Sequence, residues 1–445
     1  MAARVRALLK DPWCAWFAAF FFIQLAFSQS MSTNPLSRWT TMAALVEDGT
    51  PRIDPYHTYM IDWAQTPDGH YYSNKAPGPA LVGLPVFALA DLWLTHGIVD
   101  RQERDRARVS NGSGVLRVLS LLFQILPFFF LGLLVLRELG ANWVAFIALF
   151  FGNTASVFLN QYFGHGMAAV CVLGLYYAVL KRKTALGTFF FGLGVLCDYS
   201  SALFLLPLLP VWWKEWKASK SRAQWVGRFL AGALLPAVAW SVYHWVCFGG
   251  LFSIANRFQN PLFVDTADRW NIGGLFFLPS IEALWGLTLG WERGLLWTQP
   301  WVLLVFTAVI LDRKKLAAVW FAFSCFCLLF LMNASFGAWH GGSTPGPRYL
   351  SAGLVCMALV LSQIWGGLSA GMQKIMTASV VVSAFLQIVF LSTYLALPSE
   401  NMPLWGFYWA QLQGAHAGTV IVRIAVGWTL LAVLFYRSLS KKRAF

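Results

Sequence analysis

Charge is the scarcest property of this 445-residue chain: only 12% of its residues are charged, and Asp and Glu together number 19. A soluble domain carries roughly 25% charged residues, so a water-covered globule is excluded. Paired cysteine chemistry is also missing. The seven cysteines, Cys14, Cys171, Cys197, Cys247, Cys325, Cys327 and Cys356, form no CxxC motif and fall mostly in apolar runs, which reads as small buried hydrophobes rather than a disulfide framework or a metal site. No HExxH, phosphate-binding loop or GxSxG element is present, and no repeat or low-complexity stretch interrupts the chain.

What is abundant is apolar surface, at 58% hydrophobic residues. A helix needs ~20 mostly apolar residues to cross hydrocarbon, and a bilayer admits only helices or closed barrels because it offers no water to free backbone groups. The apolar runs are continuous rather than alternating, which indicates helices. The sequence predicts an all-α polytopic membrane protein with about 12 spans, near 12–30, 113–136, 141–160, 165–180, 184–197, 200–213, 227–247, 294–311, 316–334, 349–368, 375–397 and 417–436. The first run follows Arg4, Arg6 and Lys10 and lacks a small-residue cleavage site, so it reads as an uncleaved anchor.

The net charge of +14 reads as topology, not nucleic-acid binding, because no Lys/Arg cluster is interleaved with aromatics. Basic loops at 181–183, 214–228 and 312–315, together with the C-terminal tail, belong on the cytoplasmic side. That assignment holds only if the apolar run 77–97 does not cross. Its Ala-Pro-Gly-Pro start, Pro85 and Asp91 fit an interfacial or re-entrant juxtamembrane helix. With both termini cytoplasmic, segments 31–112, 248–293 and 335–348 fall on the outer face of one integral-membrane unit, and the unusual polar chemistry is concentrated there.

In the first outer segment, Asp54 and Asp62 sit among Tyr56, Tyr59 and Trp63, where a partly desolvated carboxylate can act as a general base. The alternative is a carboxylate that orders its loop. Glu47 and Asp48 end a short amphipathic helix and read as a solvated terminus. Lys75, in YYSNKAPGP, places an ammonium rigidly at the membrane edge, suited to a phosphate or to snorkelling. His70, Tyr72, Trp339 and His340 are candidates for a sugar or acceptor. FGAWHGGSTPGPRYL fixes an irregular backbone ahead of Arg348, whose planar fork grips phosphate bidentately. Arg293 is a second phosphate candidate or one half of a local ion pair with Glu292. Asp198 is a candidate partner for an arginine, and His165 reads as a packed polar residue.

The stretch GTPRIDPYHTYMIDWAQTPDGHYYSNKAPGPALVGLP, with GLLWTQPW and WHGGSTPGPRYL, resembles bacterial GT-C superfamily glycosyltransferases, relatives of the protein mannosyltransferases and the lipid A aminoarabinose transferases. The resemblance spans most of the chain in order. It implies an inner-membrane enzyme that takes a sugar from a polyprenyl-phosphate carrier and passes it, with inversion, to a hydroxyl of a glycan, lipid or protein at the outer face, without a cofactor. A carboxylate in the first outer loop would be the base, and cationic side chains would hold the leaving phosphate. Tyr72 to Ala76 resembles the Tyr-x-x-Lys-Pro pattern of the aminoarabinose transferases, with Lys75 at the phosphate-contacting lysine and Ala76 in place of the proline. One departure is that Asn34 stands where the family usually has an acid, so the base falls to Asp54 or Asp62. A transporter or flippase, or a non-catalytic binder of lipid-linked sugar, remains the alternative.

Overall fold

The computed structural model describes residues 12–27, 32–263, 276–342, 344, 346–393 and 404–440. Helices dominate, and among the described residues the only sheet is a two-stranded antiparallel ribbon, Trp63–Gln65 with Tyr71–Ser73. Among the described residues six helices, matching six of the expected 12 spans, are long and apolar enough to cross a membrane: Arg101–Glu138, Arg222–Phe248, Arg313–Ala334, Arg348–Gly367, Ala370–Thr393 and Ala417–Tyr436. Cys14–Ala26, Gly164–Leu180, Thr184–Cys197 and Pro300–Ile310 are apolar but shorter. The chain is therefore a multi-pass helical membrane protein. Arg222–Phe248 shows what its outer surface is made of: Leu230, Leu234, Leu235, Val242 and Trp245 are all exposed, a density of apolar surface that water would not tolerate.

Every run expected to span carries helix, with three informative differences. The expected span 113–136 begins at Arg101 and continues to Glu138, with a wider π turn at Leu121–Ile125. Pro127 has no amide proton, and its ring would strike the carbonyl four residues back; the extra residue in the preceding turn removes that clash. The run 141–160 breaks into Trp143–Phe150 and Ala155–Phe158, and the run 294–311 breaks at Gln299-Pro300. The two breaks satisfy each other. The Trp301 indole donates to the Gly152 carbonyl at 2.8 Å, and the Thr154 amide donates to Gln299 Oε1 at 3.1 Å. Backbone groups freed inside hydrocarbon need such partners.

The run 77–97 forms the 17-residue helix Gly78–Leu94. It buries Ala80, Phe87 and Asp91 against Thr33–Glu47, Arg101–Ser120 and Thr184–Cys197, and it turns Leu89, Leu92 and Trp93 outward. Glu47 is not a solvated residue, as the sequence suggested, whereas Asp48 is exposed at the helix end. Arg108, 2% exposed, donates to Asp91 (2.6 and 3.0 Å), to Glu47 (2.5 Å) and to Asp105 (3.0 Å), while Arg104 also bonds Glu47 and Arg101 bonds Asp48. Arg104 holds the Glu47 carboxyl down at about 2; burial opposes this and Arg108 adds to it. The network ties three helices together away from bulk water. Removing one partner of a buried pair leaves an uncompensated charge, at a cost of roughly 3–5 kcal/mol. Arg108→Ala should therefore lower the thermal unfolding temperature in detergent far more than Arg106→Ala, whose exposed side chain takes no part in this network.

Candidate functional site

The polar cluster nearest to chemistry is built from four parts of the chain. The helix Thr33–Glu47 contributes Asn34, Ser37 and Arg38, and the ribbon contributes Asp62 and Ser73 at its margins. Lys75 follows the ribbon. Arg348 and Tyr349 open the helix after the glycine loop, and Gly164–Leu180 brings Gly164 and His165.

Asp62, 5% exposed, accepts a 2.7 Å ion pair from Lys75 Nζ. Its backbone carbonyl accepts from Ser37 Oγ at 2.6 Å, and Ser37 in turn meets Ser73 Oγ at 2.7 Å, so the helix and the ribbon are pinned around the carboxylate. Burial opposes the negative charge of Asp62. Lys75, the Thr33 hydroxyl and Arg348 outweigh it and hold the carboxyl below the usual aspartate range. For Lys75 the balance runs the other way: burial lowers it, Asp62 offsets only part, and Arg348 and Arg38 push in the same direction as burial.

Arg38 was not anticipated from the sequence. It is 4% exposed, and its Nη1 donates to the Asn34 carbonyl at 3.0 Å and also to the Asn34 side-chain oxygen. Among the described residues its Nε has no hydrogen-bond partner. Burial draws its pKa down to about 10, against the fields of Asp62 and Asp198. Asn34, which occupies the position where an acid was expected, thus serves as the neutral anchor of a buried guanidinium. The only sequence signal for this pairing was the four-residue spacing of Asn34 and Arg38 on one helix face. Gly164 makes the pairing possible. A Cβ there would lie 2.3 Å from the Cys197 carbonyl oxygen and 2.8 Å from Arg38 Nη2.

Arg348 stacks on Tyr349 (4.9 Å to the ring centroid) and donates to its hydroxyl at 3.0 Å. The glycine loop closes over it. Gly341 has φ of 73°, and a Cβ there would sit 3.1 Å from Arg348 Cγ. Arg293, 2% exposed, donates to the carbonyls of Gly342 (2.7 Å) and Thr344 (3.1 Å), so it fixes this loop. The Gly342 amide donates to His340 Nδ1 at 3.0 Å, and Trp339 packs flat against Gly286.

The remaining candidates gather around the ribbon. Asp54, 39% exposed, accepts from the Tyr71 amide (2.6 Å) and pairs with His70 Nδ1 (2.9 Å), which is the geometry of a loop-ordering carboxylate. Tyr72, 3% exposed, packs on Phe248 and accepts from Arg52 at 3.4 Å. Asp198 pairs with His165 at 2.6 Å rather than directly with an arginine.

No family model, curated protein or solved structure matches this chain.

Chemically, the cluster gathers three cations, Arg38, Lys75 and Arg348, about Asp62, and among the described residues Arg38 Nε lacks an acceptor. Two outcomes follow. Gly164→Ala should displace Arg38 and lower the thermal unfolding temperature in detergent at least as much as Arg38→Lys, read by a melting curve on purified protein. A carboxyl held below its unfolded value contributes stability that is complete above about pH 4 and is lost as pH falls further, through its native value. Wild type should therefore lose thermal stability in that acid range more steeply than Asp62→Asn.

Proposed function

We propose that this protein is a glycosyltransferase that moves a sugar from a polyprenyl-phosphate carrier to an acceptor hydroxyl at the outer membrane face. The observation that carries this reading is the cationic cluster, in which Arg38, Lys75 and Arg348 surround the buried Asp62 carboxylate and the Nε of the buried Arg38 has no partner among the described residues. Buried charge of one sign needs an opposite one, and a phosphate supplies several acceptor oxygens at once. Asp62, Lys75 and Arg348 lie in the stretches that resemble the GT-C loops, whereas Arg38 lies outside them.

In this mechanism the carrier phosphate enters among Arg38, Lys75 and Arg348 and draws Lys75 from Asp62. The freed carboxylate accepts the proton of the acceptor hydroxyl. The hydroxyl oxygen forms a bond to the anomeric carbon from the face opposite the phosphate, the C–O bond to phosphate breaks, and its electron pair leaves on the phosphate oxygen. Inversion follows from the single displacement. Phosphate is already a good leaving group, so electrostatic stabilisation dominates the rate. Asp54 then orders the ribbon and Arg293 orders the glycine loop.

The broken helices also suit a transporter of lipid-linked sugars. Here, though, the break at 151–154 is closed by neutral groups, Gln299 and Trp301, and the charges lie elsewhere. The test is transfer from a panel of polyprenyl-phosphate hexoses and pentoses by protein in membranes. Asp62→Asn and Arg348→Ala should each lower transfer by roughly 100-fold or more, on the scale of a lost oxyanion donor, while inserting normally. Full activity in both variants sinks the assignment. Labelled carrier crossing vesicles without any sugar transfer would establish the transporter instead.

A further inference from the structure

The pocket contains a second polar pair that the transfer mechanism leaves unused. His165 lies in the first turn of Gly164–Leu180, directly after the glycine against which Arg38 packs. Its Nδ1 is 2.6 Å from Asp198 Oδ2. The other oxygen of Asp198 accepts from the Ser200 amide (3.1 Å) and the Ser200 hydroxyl (2.7 Å), so the carboxylate is held on both sides. The imidazole is flanked by Phe163, nearly parallel to it, and by Tyr349, edge-on at 5.4 Å between centroids. Its orientation is therefore fixed by a carboxylate and two rings.

That orientation decides its chemistry. An ionised carboxylate only accepts, so Nδ1 carries the proton. In the neutral ring Nε2 is then an acceptor, and among the described residues it makes no hydrogen bond. The surrounding groups are of the opposite kind. Arg38 and Arg348, whose charges act on His165, and Lys75, which lies close to both, can only donate. Asp62 is already engaged by Lys75 and Thr33. The cluster thus holds donors for an anion beside a neutral acceptor that makes no hydrogen bond among the described residues.

An ionised phosphate oxygen has no proton to give Nε2, whereas a hydroxyl or an ammonium does. The ammonium is disfavoured by Arg38 and Arg348 at the same place. We infer that His165, oriented by Asp198, is a positioning residue that recognises a hydroxyl of the transferred sugar and selects a neutral glycosyl group over an amino sugar presented at that position. This rests on the transferase reading above.

The experiment compares the affinity of purified protein for polyprenyl phosphate, polyprenyl-phosphate hexose and the corresponding amino sugar at pH 8. Wild type should bind the hexose form more tightly than the bare phosphate. His165→Phe should lose about 3- to 10-fold of that sugar-dependent increment, the worth of one hydrogen bond, with affinity for the bare phosphate unchanged within about twofold. His165→Gln, which retains an acceptor, should recover part of it, and transfer by His165→Phe should show the loss in KM for the hexose donor. An equal fall in affinity for all three ligands overturns the proposal in favour of a packing role, as does an unchanged increment or a tighter grip on the amino sugar. If wild type binds none of the three, the transferase reading itself fails.

Discussion

Burying a cation costs several kcal/mol unless an anion and hydrogen bonds accompany it, and this cluster gathers three, Arg38 buried and Lys75 and Arg348 half-buried. Asp62 is the residue on which that arrangement depends. Its side chain neutralises Lys75 at 2.7 Å, and its own backbone carbonyl takes the Ser37 hydroxyl. One residue therefore joins the Thr33–Glu47 helix to the ribbon and sets where Lys75 points. Arg38 is held next to it by Asn34, a neutral partner that satisfies part of the guanidinium without cancelling its charge. The cluster stays cationic because one of its anchors is an amide.

A cluster of this kind is stable only on a rigid support. The segment that carries Asp62 and Lys75 obtains it from the Glu47–Asp91–Arg108 network, which ties Gly78–Leu94 and Arg101–Ser120 to the helix that carries Arg38. On the opposite wall, Arg293 fixes the backbone of the glycine loop so that Gly341 can lie against Arg348. Buried arginines thus play two different parts. Arg108 and Arg293 find acceptors within the fold and stiffen it. Arg38 retains an Nε with no partner among the described residues, and this difference distinguishes it from the two structural cations.

Much of this was legible before any coordinates. Continuous apolar runs located the helices, because hydrocarbon enforces internal hydrogen bonding wherever the chain crosses. Asp62, Lys75 and Arg348 stood out because a charge beside aromatics or at a helix mouth has few bland explanations. Tyr72 and Asp54 stood out for the same reason, and yet they fold into ribbon packing and loop order. The period of an isolated segment does not say which of two nearby carboxylates turns toward a cation 13 residues away in sequence.

Arg38, His165 and Asp198 were hidden for a related reason. Each looks ordinary alone: an arginine in a short helix, a histidine on an apolar face and an aspartate after a helix end. Their significance arises when Gly164 lets helix ends that are distant in sequence approach within contact. The sequence by itself determined the solvent, the helical character and the crowding of polar residues into a few segments, since these follow from local composition and the absence of water in a bilayer. Only the tertiary structure decided which charges cancel and which remain, because pairing depends on ångström-scale distances between segments that local composition does not encode.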